Sequence, residues 1–284
     1  MKNFNYFFEQ PLFRGIYGLH VISNPELNLA LPTVLIVVGP SGGGKDTVLR
    51  DLFADGTYVH AITSTTRRRR YEFADDVSAD KRVQIQQQLE NLTDGAYLDC
   101  LDELGKESGL FKYLESRDAY LWLRSRKPEE EDDVVYLQHL IDEYDLIESD
   151  IHHGNIYGLP KANLYAAAQK PGLTVIRTEP TGAKTLLQKL SVEFNVVVLG
   201  VVPDSPEVVK ARIFARVEQS GKGDENPELR FNESMVWVDG FPALVHLVLH
   251  NTEKNVNYPG LDEPIKGLEA SVLSLRALAQ QLKP

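Results

Sequence analysis

A doubly wound α/β fold on a parallel sheet of five strands is the architecture this sequence predicts, and three observations carry the prediction. Short runs rich in Val, Ile and Leu recur at 33–39, 58–63, 173–178, 194–202 and 245–250 of the 284 residues. Most are continuously apolar, as strands buried on both faces require. Segments with helical spacing at 45–53, 160–169, 183–190 and 206–217 separate successive runs, and strand–helix alternation builds a parallel sheet with crossover helices on its faces. Hydrophobic residues make up 43% of the chain and charged residues 25%, a globular balance in a chain long enough to enclose a core.

Composition also narrows the function. A formal net charge of −11 argues against a general partner among nucleic acids or anionic membranes, which attract a positive surface. No apolar run approaches the roughly 20 residues that span a bilayer. Cys100 stands alone, which excludes an internal disulfide and suits a reducing compartment. The opening MKNFNYFFEQPLFRG reads neither as a secretory signal nor as a transit peptide. A cytoplasmic protein acting on small molecules is the expectation, and oligomeric state leaves no mark on the sequence.

Taken in order, residues 1–32 form an N-terminal extension ahead of the first strand. That strand runs into GPSGGGKDT at 39–47, the strand, loop and helix order of a phosphate-binding loop and of the P-loop NTPase type of sheet. Glycines let successive backbone N–H groups turn toward phosphate oxygens, the helix N-terminus adds positive potential, and Lys45 supplies a full charge. Gly39, Ser41, Gly42, Gly43, Gly44, Lys45, Asp46 and Thr47 are therefore the candidate ATP-binding residues. Asp46 occupies the place where Ser or Thr usually holds Mg2+; either Thr47 takes over the hydroxyl function or Asp46 reaches the metal through water.

Beyond the second strand run, 78–104 carries apolar residues at helical intervals on a polar background and reads as one or two amphipathic helices. The aromatic stretch FKYLESRDAYLWL at 111–123 and the acidic run EEEDD at 129–133 follow, the latter as a solvated loop or helix start. QSGKGDENP at 219–227 has the composition of a mobile loop, and 261–282 is helical by pattern.

Several motifs together give the chain a resemblance to the guanylate kinase family. GPSGGGKDT is the first. ITSTTRRRR at 62–70 is similar to the family's S-x-x-T-T-R-x-x-R, with Arg67 and Arg70 at the arginines that grip the acceptor phosphate and Thr63 in place of the Ser beneath the base. LIESDIHHGNIYGLPK at 146–161 is similar to E-x5-G-N-x-Y-G, which carries over Glu148 as a base-reading carboxylate and Tyr157 as a phosphate ligand. VIRTEPTGAK at 175–184 aligns with D-x-D-x-Q-G, but Arg177 replaces the first acid; Glu179 stands at the second. KARIFAR at 210–216 resembles the start of the lid, and the resemblance makes Arg212, Arg216 and Arg230 the arginines that close over the transferring phosphates. LVLHN at 247–251 places Asn251 beside adenine. A tyrosine completing the acceptor site would be Tyr113 or Tyr120. Leu159 stands where a hydroxyl residue usually follows Tyr-Gly.

The resemblance implies one guanylate kinase-like domain over 33–284. Its core would comprise 33–61, 162–215 and 236–284, its acceptor-binding region with a helical insert 62–161, and its lid 216–235. It implies ATP and Mg2+ as cofactors, small-molecule nucleotides as partners, and the reaction GMP plus ATP giving GDP plus ADP, with Lys45, Arg67, Arg70, Arg212, Arg216 and Arg230 as the catalytic set. Two alternatives stand beside it: a kinase for ribose 1,5-bisphosphate, whose loop commonly reads G-K-D followed by Ser or Thr, and a catalytically impaired binding module.

Overall fold

The computed structural model describes residues 4–28, 30–69, 71–90, 92, 94–123, 133–152, 155–220 and 226–282. It divides into two compact units, Met1–Ala61 with Ala162–Pro284, and Ile62–Lys161.

The first unit is built on a six-stranded sheet in the order Leu19–Val21, Leu247–His250, Asn195–Val202, Thr33–Val38, Leu173–Arg177, Tyr58–His60. The five strands expected from the sequence are all present, and all four pairings among them are parallel. All residues of Thr33–Val38 and Asn195–Val202 are buried, which is why those runs carry no polar alternation. Leu35, Val37, Val197 and Leu199 share one cluster with Val48, Leu49 and Leu52 of the helix Lys45–Ala54 and with Leu275 and Leu278 of the helix Gly267–Leu282. Tyr58 reaches into the same cluster, and its hydroxyl donates to the Leu275 carbonyl at 2.7 Å.

The sixth strand corrects the five-strand expectation. Leu19–Val21, from the N-terminal extension, pairs antiparallel with Leu247–His250. Phe7, Phe13, Ile16 and Leu19 of this extension are buried, and the Asn195 amide ties it down, donating to Asn28 O at 2.8 Å and Leu31 O at 2.9 Å while accepting from Asn28 N at 2.7 Å. A three-residue strand is too short to show a period of two, so the sequence of the extension gives no strand signal.

The second unit holds a four-stranded sheet in the order Leu121–Trp122, Ser64–Thr65, Asn155–Pro160, Leu146–His152. A two-stranded ribbon, Tyr71–Phe73 with Phe111–Leu114, accompanies it. The amphipathic stretch becomes the helices Ala79–Glu90 and Asp94–Gly105. They bury Ile85, Leu89, Tyr97 and Leu101 together with Leu110. A third helix, Asp133–Tyr144, closes the unit; residues 129–132 of the acidic run lie outside the described residues. The insert is therefore helical with an added ribbon, since the aromatic stretch supplies strands.

Leu19→Ala should lower unfolding stability by about 2–5 kcal/mol, the usual range for truncating a buried Leu. Leu12→Ala, at a position 44% exposed, should shift it little. Urea unfolding of the two variants measures the difference, and equal small losses would show the edge strand to be dispensable.

Candidate active site

The glycine loop connects the buried strand Thr33–Val38 to the helix Lys45–Ala54. Gly42 has φ +73° and Gly44 φ +88°, left-handed conformations that an L side chain resists. A Cβ on Gly39 would lie 2.6 Å from the Val201 carbonyl oxygen. Lys45 Nζ donates back to Gly39 O at 2.7 Å and Pro40 O at 3.3 Å, so the loop curls around its own ammonium group. The first turn of the helix directs backbone N–H groups at the same place, which is what an anion needs.

Side chains from elsewhere in the unit hold this loop. Asn251 is buried; its Nδ2 donates to Gly43 O at 2.9 Å and its Oδ1 accepts from Ser271 Oγ at 3.3 Å. The residue expected beside adenine thus ties the loop, through its Nδ2, to the helix Gly267–Leu282, through its Oδ1. Arg212, on the helix Pro206–Ser220, donates to Gly42 O at 2.8 Å and pairs with Glu253 at 2.7 Å. Ser234 Oγ accepts from Ser41 N at 3.1 Å. Arg230 is buried on the helix Pro227–Gly240, the same helix as Ser234. Arg216 falls on Pro206–Ser220 with its side chain outside the described residues, as do residues 221–225 of the expected mobile loop.

Asp46 and Arg177, the two departures from the expected pattern, meet. Arg177 ends the strand Leu173–Arg177, and its Nη1 donates to Asp46 Oδ1 at 2.5 Å while its Nε donates to His60 Nε2 at 3.3 Å. Accepting that bond requires a neutral imidazole. Burial and the neighbouring guanidinium lower the His60 pKa to about 3, against a smaller upward pull from Asp46. Glu179 caps the next helix, Pro180–Leu190, its carbonyl accepting from Ala183 N at 2.9 Å. These residues do not fit a Mg2+ ion held by the protein. The Asp46 carboxylate already faces a guanidinium, which has no lone pair to offer a metal, and Thr47 is exposed one position along the helix.

In the second unit Arg67 is the centre of a separate cluster. Its guanidinium forms a two-pronged pair with Glu115 at 2.9 and 3.0 Å and lies 5.2 Å from the Tyr120 ring centre and 5.5 Å from that of Trp122. Burial alone would lower its pKa, but the Glu115 hydrogen bonds and charge outweigh it and the net shift is upward. Tyr157 meets Tyr120 edge to face at 6.3 Å. Tyr113 lies in the ribbon, and Tyr120 is brought to Arg67 and Tyr157. Thr63 and Glu148 are buried in the same unit, Glu148 opposite Leu159 across the strand pair Leu146–His152 and Asn155–Pro160. Arg70 lies outside the described residues. Arg69, which the sequence did not single out, is buried and bonded to Asp102 and to the Glu115 carbonyl. Glu115 and Trp122 were also missed. Glu115 stands 48 residues from Arg67 with nothing local to mark it, whereas the aromatic density of 111–123 was a visible signal.

No family model and no curated protein matches the chain. Among solved structures, guanylate kinase from Anaplasma phagocytophilum is similar at a TM-score of 0.48 and 16% identity, over 88% of this chain and 86% of that one. A likeness at that level says nothing about activity.

The depressed His60 pKa has a consequence for stability. Between its usual value near 6.5 and about 3, the unfolded chain binds a proton that the folded chain excludes, so stability falls as pH drops through this window. Urea midpoints measured from pH 7 to 4 should show this loss, and His60→Gln should reduce its slope; an unchanged slope would place the sensitivity elsewhere.

Proposed function

We propose that this chain transfers the γ-phosphoryl group of ATP to a nucleoside monophosphate, GMP above others, releasing GDP and ADP. The observation that carries this reading is the loop 39–44, closed around Lys45 at the end of a buried strand. The loop N–H groups and the helix N-terminus bind the β- and γ-phosphates. Lys45 exchanges the Gly39 and Pro40 carbonyls for phosphate oxygens, and Arg212 keeps the loop in shape from behind. An acceptor phosphate oxygen attacks the γ-phosphorus, the bond to the β,γ-bridging oxygen breaks, and ADP leaves with that electron pair. Positioning and charge stabilisation supply the catalysis, without a covalent enzyme intermediate.

On the acceptor side, Arg67 offers a planar fork suited to phosphate, packed against Tyr120 and Trp122 and engaged by Glu115 until an anion replaces that carboxylate. Tyr157 adds a hydroxyl to the same phosphate. Glu148 and Glu179 are the carboxylates assigned to guanine, whose N1–H and N2 amino group donate where adenine N1 accepts. The run Lys45–Asp46–Thr47 favours a second reading, a kinase for ribose 1,5-bisphosphate, which needs no base-reading Glu148.

A panel of GMP, dGMP, AMP, UMP, CMP and ribose 1,5-bisphosphate with ATP tests both readings. GMP should give the fastest ADP release, and ATP binding with no phosphorylation of any acceptor would overturn the assignment. Lys45→Ala should reduce turnover by about a hundredfold or more with an unchanged unfolding midpoint, the scale expected when one preorganised transition-state contact is removed. Glu148→Gln should cut the preference for GMP about ten- to a hundredfold, one charge-assisted hydrogen bond, and leave use of ribose 1,5-bisphosphate intact.

A further inference from the structure

The position after the loop lysine ordinarily presents a hydroxyl that ligates Mg2+. Here it presents a carboxylate, and that carboxylate is already paired. Arg177 and Asp46 are unequal partners: the Arg177 side chain is 17% exposed and the Asp46 side chain 78%. The buried partner is anchored. Arg177 sits at the end of a strand lying beside the loop strand, register Arg177 against Val37, and its Nε is held by His60, whose ring stacks on Phe53 at 5.1 Å and 27°. The exposed partner sits in the first turn of the helix and is open to water.

Such a pair has one fixed end and one replaceable end. A guanidinium fork binds phosphate oxygens with the same geometry as carboxylate oxygens, so an incoming phosphate finds its cation in place and displaces only a solvated carboxylate. Magnesium fares differently. It demands near-octahedral oxygen donors and dehydrates reluctantly, and before ATP binds it would compete at Asp46 with a guanidinium anchored by His60. His60 reinforces the arrangement, because as a neutral acceptor it adds no second positive charge behind Arg177.

We propose that Arg177 is a phosphate-binding cation built into the nucleotide site, standing in for a metal held by the protein, and that Asp46 occupies its fork until ATP arrives. This rests on the ATP-binding reading above and extends it to the charge that meets the phosphates.

Titration calorimetry with ATP, in excess Mg2+ and in EDTA, tests it on the full-length chain. The unmodified protein should bind ATP with affinities within about threefold of one another in the two conditions, since the cation travels with the fold. Arg177→Gln leaves Asp46 facing the phosphates; its affinity should fall about tenfold or more in EDTA, the loss of one charge-assisted bond, and recover in Mg2+. Asp46→Asn should keep the metal independence and bind ATP at least as tightly. Unfolding midpoints confirm that each variant is folded. Should Arg177→Gln fail to fold, Arg177→Lys keeps a charge without the fork and should show a smaller loss in EDTA. If the unmodified protein binds ATP only in Mg2+, or if Arg177→Gln binds ATP in EDTA as tightly as the unmodified protein does, Arg177 is not the phosphate cation although the ATP reading stands. Failure to bind ATP in either condition overturns both.

Discussion

The glycine loop at 39–44 depends on side chains that grip its backbone. Glycines let the chain turn inward, but the same freedom leaves the loop without a conformation of its own. Its shape is imposed from three directions: Asn251 on the Gly43 carbonyl, Arg212 on the Gly42 carbonyl and Ser234 on the Ser41 N–H. Each comes from a different part of the chain, from the end of a strand and from two helices. The conformation of the loop is therefore a property of the whole first unit, because any shift of those elements reaches the loop through a hydrogen bond.

That dependence explains why the N-terminal extension belongs to the same unit. Its strand pairs with Leu247–His250, the strand immediately before Asn251. Without Leu19–Val21 the backbone of Leu247–His250 would present an open edge, an exposed template for pairing with other chains. Phe8 stacks on His250 at 3.7 Å, and His250 is bonded to Asp204 at 2.9 Å. The extension thus covers and stiffens the element that carries the loop's Asn.

Charge is managed by the same logic in both units. Arg177 and Arg67 are each largely buried, each anchored by a ring and each faced by a carboxylate. A buried guanidinium without a partner would be strongly unfavourable. In each pair the carboxylate supplies the negative charge that a largely buried guanidinium requires. Asp46 is the more exposed of the two carboxylates and Glu115 the more buried, so the two pairs differ in how far water screens them.

The sequence by itself determined the five parallel strands, the glycine loop with its lysine, and the helices of the insert. These are local signals: continuous apolar runs, a fixed spacing of Gly and Lys, and apolar residues at helical intervals. Its resemblance to the guanylate kinase family marked Arg67, Tyr157 and Glu148 as acceptor candidates, and set against that pattern Asp46 and Arg177 stood out as departures. Only the tertiary structure decided that those two departures are one ion pair, because 131 residues separate them and no local preference links them. It likewise turned Asn251 to the loop, gave Arg67 its Glu115, and made a sheet edge of the extension. Pairings of that kind depend on which strand ends lie side by side, and only long-range packing sets that.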